Sequence, residues 1–349
     1  MPGMTWMVYG ANGYTGQLVA REAVARGERP VLAGRSGKVA ELAGELGLEH
    51  RVFDLSDAKA GLAGIAVVAH CAGPFSATAR PMVDACVATG THYLDVTGEI
   101  DVYEAIFARD AEAKEAGVVL LPGAGFDVVP SDCLAAMLAE ALPGATHLRL
   151  AFAAGGGLSG GTLRTTVEGM ATGGRARVDG KVVTVPMAHS TMTAFFPSGP
   201  RTVISLPWGD VATAYRSTGI PNIVTHISVP MAAGLVRRGQ RLAAPIMRTA
   251  LGQRVGKSLA GLVSGPGEKR RSHSRAEFWG EVKDADGRRA TGTLVTPNTY
   301  SITADAVIRI ATKVAEVTPG AHTPATAFGA KFVRELDGVT VGPTVVLQP

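Results

Sequence analysis

The sequence predicts an α/β protein: a doubly wound parallel sheet in residues 1–143, followed by an α+β domain on a mixed sheet. Three observations carry this. From residue 5 to about 135, short and continuously apolar runs alternate with helix-length stretches, the pattern of strands buried on both faces. A glycine-rich turn, Gly10-Ala11-Asn12-Gly13-Tyr14-Thr15-Gly16, joins the first run to the first helical stretch. Beyond residue 146 the runs become polar–apolar alternations, as in strands with one wet face.

In chain order, the strands of the first domain are expected at Trp6–Tyr9, Pro30–Ala33, Arg51–Phe53, Ile65–His70, Tyr93–Val96 and Val118–Leu121. Helices are expected between them at Thr15–Arg26, Lys38–Leu46, Ala77–Thr89 and Val102–Ala116. Right-handed crossovers then cover both faces of the sheet. A boundary is expected at Pro143-Gly144. Domain two, residues 144–322, holds alternating strands at His147–Phe152, Lys181–Val185 and Arg201–Leu206. It continues with Ala276–Val282 and Ala290–Thr296, which flank an Asp286-Gly287 turn suited to a hairpin. Helices are expected at Thr303–Val317 and Pro324–Leu336.

Of 349 residues, 46 % are hydrophobic and 18 % charged, enough for two cores, and the 44 glycines suit many tight turns. The chain starts directly on a strand pattern, so no signal peptide is expected, and no apolar run has the length of a membrane span. Cys71, Cys86 and Cys133 lack paired spacing and read as thiols in a reducing cytoplasm. The eight scattered histidines form no ligand pair, so no metal is expected.

A glycine triplet between a strand and a helix is the layout of a Rossmann domain. Glycine allows the tight turn, the bare backbone under a pyrophosphate and the close helix–strand contact, and the helix N-terminus faces the phosphates. Gly10, Asn12, Gly13, Tyr14, Thr15 and Gly16 are the candidate residues. The second strand runs into Arg35-Ser36, where an NAD-binding chain would place an acid for the ribose 2′-hydroxyl. A planar guanidinium and a hydroxyl suit a 2′-phosphate instead, so the expected cofactor is NADP(H). Asp54 either reaches the adenine edge or caps the turn at Leu55-Ser56.

These segments resemble the saccharopine-dehydrogenase-like oxidoreductases, a family that includes trans-acting enoyl reductases. The similarity rests on Gly10–Gly16, Ala33–Ser36, Cys71–Phe75, Tyr93–Glu99, Gly123–Asp132, Ser217–Asn222 and Thr323–Gly329, in order along the chain. The resemblance implies an NADP(H)-binding Rossmann domain, a mixed-sheet domain for substrate, and a C-terminal helix (residues 323–349) returning to the first domain. It implies reduction of either an imine or a carbon–carbon double bond.

In a doubly wound sheet the ligand lies across the carboxyl ends of the strands. Cys71, Ala72, Gly73 and Pro74 would lie along the ribose and nicotinamide, with Phe75 either walling the ring or packed in the core. Hydride transfer needs a partner proton, for which Asp127 and then Glu99 are the first candidates, ahead of Asp95 and Tyr93. Asp127 could equally cap the helix that follows. From the second domain, Gly160–Thr165 and Trp208-Gly209-Asp210 with Tyr215 are the polar candidates for the cleft.

Charge is uneven: residues 231–275 hold ten Lys/Arg against Glu268, in a chain of net charge +4. Within 235–263 an amphipathic pattern with a cationic face suits either an anionic membrane surface or simple packing with solvated arginines. No aromatic residues interleave those charges, so no nucleic-acid partner is expected. Together these readings give an NADP(H)-dependent reductase of a C=C bond in a lipid-like or acyl substrate, cytoplasmic or peripheral to the inner face of the membrane. An exposed sheet edge leaves room for a homodimer. The alternatives are imine reduction on an amino-acid adduct, or a membrane-associated cofactor-binding protein without turnover.

Overall fold

In the computed structural model the apolar runs of the first domain form one parallel sheet. Its strands are β1 (Trp6–Tyr9), β2 (Val31–Gly34), β3 (His50–Val52), β4 (Val67–His70), β5 (His92–Asp95) and β6 (Val119–Leu121). The structure describes residues 4–154, 173–228, 249 and 274–349. They divide into two units: Met1–Val129 with Tyr300–Phe328, and Pro130–Thr299 with Gly329–Pro349.

Strand order in the first unit is β15-β6-β5-β4-β1-β2-β3, where β15 is Gly320–Ala321, and every neighbouring pair is parallel. The chain leaves β1 toward β2 and β3, then returns to the other side of β1 with β4. The topological switch therefore falls between β1 and β4, where such sheets open a ligand crevice at their carboxyl edge. β1, β2 and β4 are buried throughout, as continuous apolar runs require.

The covering helices are α1 (Tyr14–Ala25), α2 (Lys38–Leu46), α3 (Ala58–Gly61), α4 (Phe75–Thr89), α5 (Ile100–Phe107) and α6 (Asp110–Glu115). α1 buries Gly16, Val19, Ala20 and Ala23, one face at helical spacing. The single helix expected over Val102–Ala116 is two. Arg109 leaves helical geometry between them, and its guanidinium bonds Glu112 and Asp84.

The second unit is a ten-stranded mixed sheet in the order β10-β11-β12-β7-β13-β14-β16, with β8, β9 and β17 attached to it. Its strands are β7 (His147–Ala154), β8 (Gly174–Val178), β9 (Lys181–Val185), β10 (Thr191–Phe196), β11 (Gly199–Ser205) and β12 (Asn222–Ser228). β13 (Arg275–Lys283), β14 (Arg289–Pro297), β16 (Thr340–Val341) and β17 (Val345–Leu347) complete it. Among the described residues, β7 and β12 are the one parallel pair of this sheet; β13 and β14 form the hairpin expected around Asp286-Gly287. The alternating burial of β14, one residue in and one out, is the signature read in the sequence.

The partition differs from the expected 1–143, 144–322 and 323–349. The first boundary falls at Val129–Pro130, because helix α7 (Val129–Ala141) packs on the second sheet. A Cβ on Gly280 of β13 would stand 2.6 Å from Leu138, and one on Gly292 of β14 would stand 3.3 Å from Leu134. The segment returning to the first unit is Tyr300–Phe328, not the last 27 residues, since β16 and β17 pair with β14. Helix Thr299–Lys313 is fixed to α1 by Asp305, which bonds Arg26 and Arg309. Among the described residues, no helix is long and apolar enough to cross a membrane. The basic segment 235–263 and the Gly160–Thr165 candidates lie outside the described residues.

Candidate dinucleotide site

At the switch point, Gly10 ends β1 with φ +83°, a conformation costly for any other residue. A Cβ there would stand 2.8 Å from Ala72 Cβ and 2.9 Å from Ala72 N. The two strand-end loops, 10–13 and 71–74, thus meet backbone to backbone. Gly16 lies so close beneath the turn that a Cβ would overlap the Gly10 carbonyl oxygen. The roles read from glycine spacing therefore have steric counterparts in this chain.

α1 opens on Gly13 without a side-chain cap, so its first N–H groups keep their capacity for an anion. α4 differs. Its Phe75 and Ser76 N–H groups both donate to the Glu99 carboxylate, each at 2.8 Å. Among the described residues, α4 is the one of these two helices whose N-terminus a carboxylate holds, while α1 has Gly13 as its N-cap.

Toward β2 and β3 the edge carries Arg35, Ser36 and Asp54. Arg35 and Asp54 are exposed, and both act on the Tyr9 hydroxyl, which donates to Phe53 O at 3.2 Å. Burial pushes that phenol up to about 12, with the Asp54 carboxylate adding and Arg35 opposing. A cation and a carboxylate therefore flank the β2–β3 edge. Asn12 reaches the same place, since a Cβ on Gly34 would stand 3.2 Å from its Oδ1. Tyr14 packs edge-on against Tyr300, ring centroids 4.8 Å apart.

Toward β5 and β6 the site is held by Asp95, buried at the end of β5. Its Oδ1 accepts from Thr97 N at 3.0 Å and Gly123 N at 2.9 Å, and its Oδ2 from the Tyr93 hydroxyl at 2.8 Å. Burial raises its carboxyl to about 6 against those bonds, which favour the anion. Asp95 thus ties the two loops that carry Glu99 and Asp127. Tyr103 adds a second tie, donating to Thr97 O at 2.5 Å. Asp127 stands beside Gly98, where a Cβ would be 2.5 Å from its Oδ2. The Asp127–Val128 and Gly73–Pro74 peptide bonds are cis.

The 71–74 loop has no charged side chain. Thr78 of α4 donates to Ala72 O at 2.7 Å or Pro74 O at 3.0 Å, and buried His70 stands 3.0 Å from the same hydroxyl. Phe75 is buried with His70 and belongs to the sheet core, so it packs rather than walls a ligand. Burial and the Asp95 carboxylate push the Cys71 thiol up to about 12, which leaves it without thiolate at neutral pH.

The structure brings Gly10–Gly16 together with Cys71–Pro74, and Glu99 and Asp127 with Asp95. Sequence reasoning missed Tyr103, Thr303 and the linking part of Asp95. Thr303 accepts from Phe126 N at 2.9 Å across 177 residues, a pairing with no local signal. Asp210, expected at a cleft, is buried inside the second unit with its Oδ2 accepting from Ser131 at 2.9 Å. Tyr215 lies under the Arg177 guanidinium, 4.3 Å from ring centroid to carbon.

A doubly wound sheet of order 3-2-1-4-5-6, with a glycine turn at the switch and an uncapped helix behind it, defines the first unit as a dinucleotide-binding domain. Residues 6–121, within this unit, match the family described as the saccharopine dehydrogenase NADP binding domain, and the cofactor is NADP(H). The chain is similar to a trans-acting enoyl reductase of Mycobacterium leprae, 35 % identical over 144 residues, covering 36 % of this chain and 33 % of that protein. It is 34 % identical over 151 residues to a saccharopine dehydrogenase-like oxidoreductase of Mus musculus, covering 36 % of this chain and 35 % of that protein. The match to a Mycobacterium tuberculosis protein extends to 190 residues, yet this is 44 % of that protein, so the matched region spans less than half of these relatives. Saccharopine dehydrogenase (L-Glu forming) from Saccharomyces cerevisiae shares the fold, with TM-score 0.66 over 99 % of this chain and 100 % of that one at 12 % identity.

Proposed function

We propose that the chain is an NADP(H)-dependent oxidoreductase that reduces a C=C bond in a lipid-like or acyl substrate. The observation that carries the cofactor half is the approach of Gly10 to Ala72 at the switch point, which leaves a bare backbone floor beside the uncapped α1. The substrate half is supported by the similarity to trans-acting enoyl reductases. NADPH, when bound, supplies a hydride to one carbon of the double bond, and the other carbon takes a proton.

The chain's own residues divide the remaining tasks. The first turn of α1 with Gly10, Asn12, Gly13, Thr15 and Gly16 binds the pyrophosphate, and Tyr14 holds that turn against Tyr300. Arg35 and Ser36 take the 2′-phosphate through charge-assisted bonds, and Asp54 lies at the adenine side. The Cys71–Pro74 backbone forms the floor of the nicotinamide pocket. Asp127 bears the proton, since the Glu99 carboxylate is already engaged by two backbone N–H groups.

The test is NADPH consumption with α,β-unsaturated acyl thioesters of increasing chain length. Oxidation that depends on the double bond, and falls at least about 100-fold in Asp127→Asn, supports the reading. NADPH bound but consumed only with imine-forming mixtures of amino acid and aldehyde contradicts it.

A further inference from the structure

Glu99 follows the last residues of β5 and is the N-cap residue of α5, yet its carboxylate does not cap α5. It reaches instead across to α4, where both oxygens accept the N–H groups of Phe75 and Ser76 at 2.8 Å. Glu99 is itself anchored from below. Its N–H donates to Thr97 Oγ1 at 3.1 Å, Thr97 N donates to Asp95 at 3.0 Å, and Tyr103 donates to Thr97 O at 2.5 Å. The grip on α4 is thus exerted by a rigid strand end.

What this grip holds is the 71–74 loop. Cys71, Ala72, Gly73 and Pro74 bring no charged group of their own. The carbonyl side of the loop is held by Thr78, whose hydroxyl donates to Ala72 O or Pro74 O. Its N–H side, where the loop becomes α4, is held by Glu99. The adenine side is built from other elements, with Tyr9, Arg35 and Asp54 on β1, β2 and β3.

We infer that Glu99 is a positioning residue for the nicotinamide half of the cofactor, fixing the 71–74 floor while leaving the adenosine half untouched. This rests on the cofactor reading above. It also reassigns Glu99 from proton donor to clamp. Charge-assisted bonds are about twice as strong as neutral ones, so loss of the pair frees the loop to sample other shapes. A ligand that needs one shape then binds more weakly in proportion to its population.

Two ligands separate the halves: NADPH, which spans the site, and 2′,5′-ADP, which carries only the adenosine portion with its 2′-phosphate. Binding to the full chain is measured for wild type, Glu99→Ala and the near-isosteric Glu99→Gln, with thermal melting to confirm folding. The expected result is NADPH affinity about tenfold lower in both variants, with 2′,5′-ADP affinity changed less than about twofold. Glu99→Asp, which retains the charge on a shorter arm, is expected between Glu99→Gln and wild type. Equal losses for both ligands, or no loss of NADPH affinity in either variant, overturn the inference while leaving the cofactor reading intact. A wild-type protein that binds neither ligand overturns both. Where Glu99→Ala fails to fold, Glu99→Gln alone decides.

Discussion

Gly10 and Ala72 touch across the switch point of the parallel sheet, so that a Cβ on Gly10 would stand 2.8 Å from that of Ala72. Space and backbone conformation agree in requiring glycine, because Gly10 also has φ +83°. Gly10→Ala is expected to lose about 2 kcal/mol of stability or more. NADPH affinity is expected to fall at least about tenfold as the loops part, read by fluorescence titration. Gly27, with φ +81° but no atom within 4 Å of a Cβ, is the control: Gly27→Ala strains the chain and leaves binding unchanged.

Arg35 is exposed just beyond the end of β2. Arginine–phosphate bonds of this kind are worth about 1.5–3 kcal/mol. Arg35→Ala is therefore expected to weaken NADPH binding by about 10- to 100-fold while changing NADH binding by less than about threefold. Parallel titrations with the two cofactors check this. Equal losses for both would remove Arg35 from the 2′-phosphate.

Asp95 makes stability depend on pH. Burial holds its carboxyl up to about 6 in the fold, above its ordinary 3.8. A raised carboxyl favours the fold fully below pH 3.8, and that contribution is lost as pH rises through about 6. At 1.36 kcal/mol per unit, the stability of wild type relative to Asp95→Asn is expected to fall by about 3 kcal/mol across this window. Denaturant unfolding of both proteins at a series of pH values reads the difference. A flat difference would mean that Asp95 titrates as an ordinary carboxylate.

The Arg26–Asp305–Arg309 cluster ties helix Thr299–Lys313 to α1, with the Asp305 side chain only 4 % exposed. Removing one partner of a largely buried pair strands the others. Asp305→Ala is expected to lower stability by about 3 kcal/mol. Asp84→Ala, whose partner Arg109 also bonds Glu112, is expected to lose less than about 1 kcal/mol.

Most of the first unit was legible in the sequence because its determinants are local. β1 and α2 lie where the apolar run and the helical period place them, and the glycine turn lies between β1 and α1. The nearness of the glycine turn to the 71–74 loop follows for the same reason, since both loops leave neighbouring parallel strands. The clamps were not: Glu99 meets Phe75 across 24 residues, Asp95 meets Gly123 across 28, and Phe126 meets Thr303 across 177. A carboxylate at a strand end reads as a proton donor until its partners are seen. The boundary was misplaced because α7 follows the Rossmann strands in sequence, yet buries Leu134 and Leu138 on the glycines of β13 and β14.

Hydride delivery to carbon is the claim on which the rest depends. Wild type and Asp127→Asn are incubated with NADPH deuterated at either face of C4 and a lipid extract, and the products are read by mass spectrometry. Deuterium is expected from one face only, on a newly saturated acyl carbon, and markedly less of it with Asp127→Asn. Label in an amine adduct, or none in any acyl chain while NADPH is bound and a suitable enoyl substrate is present, would contradict it.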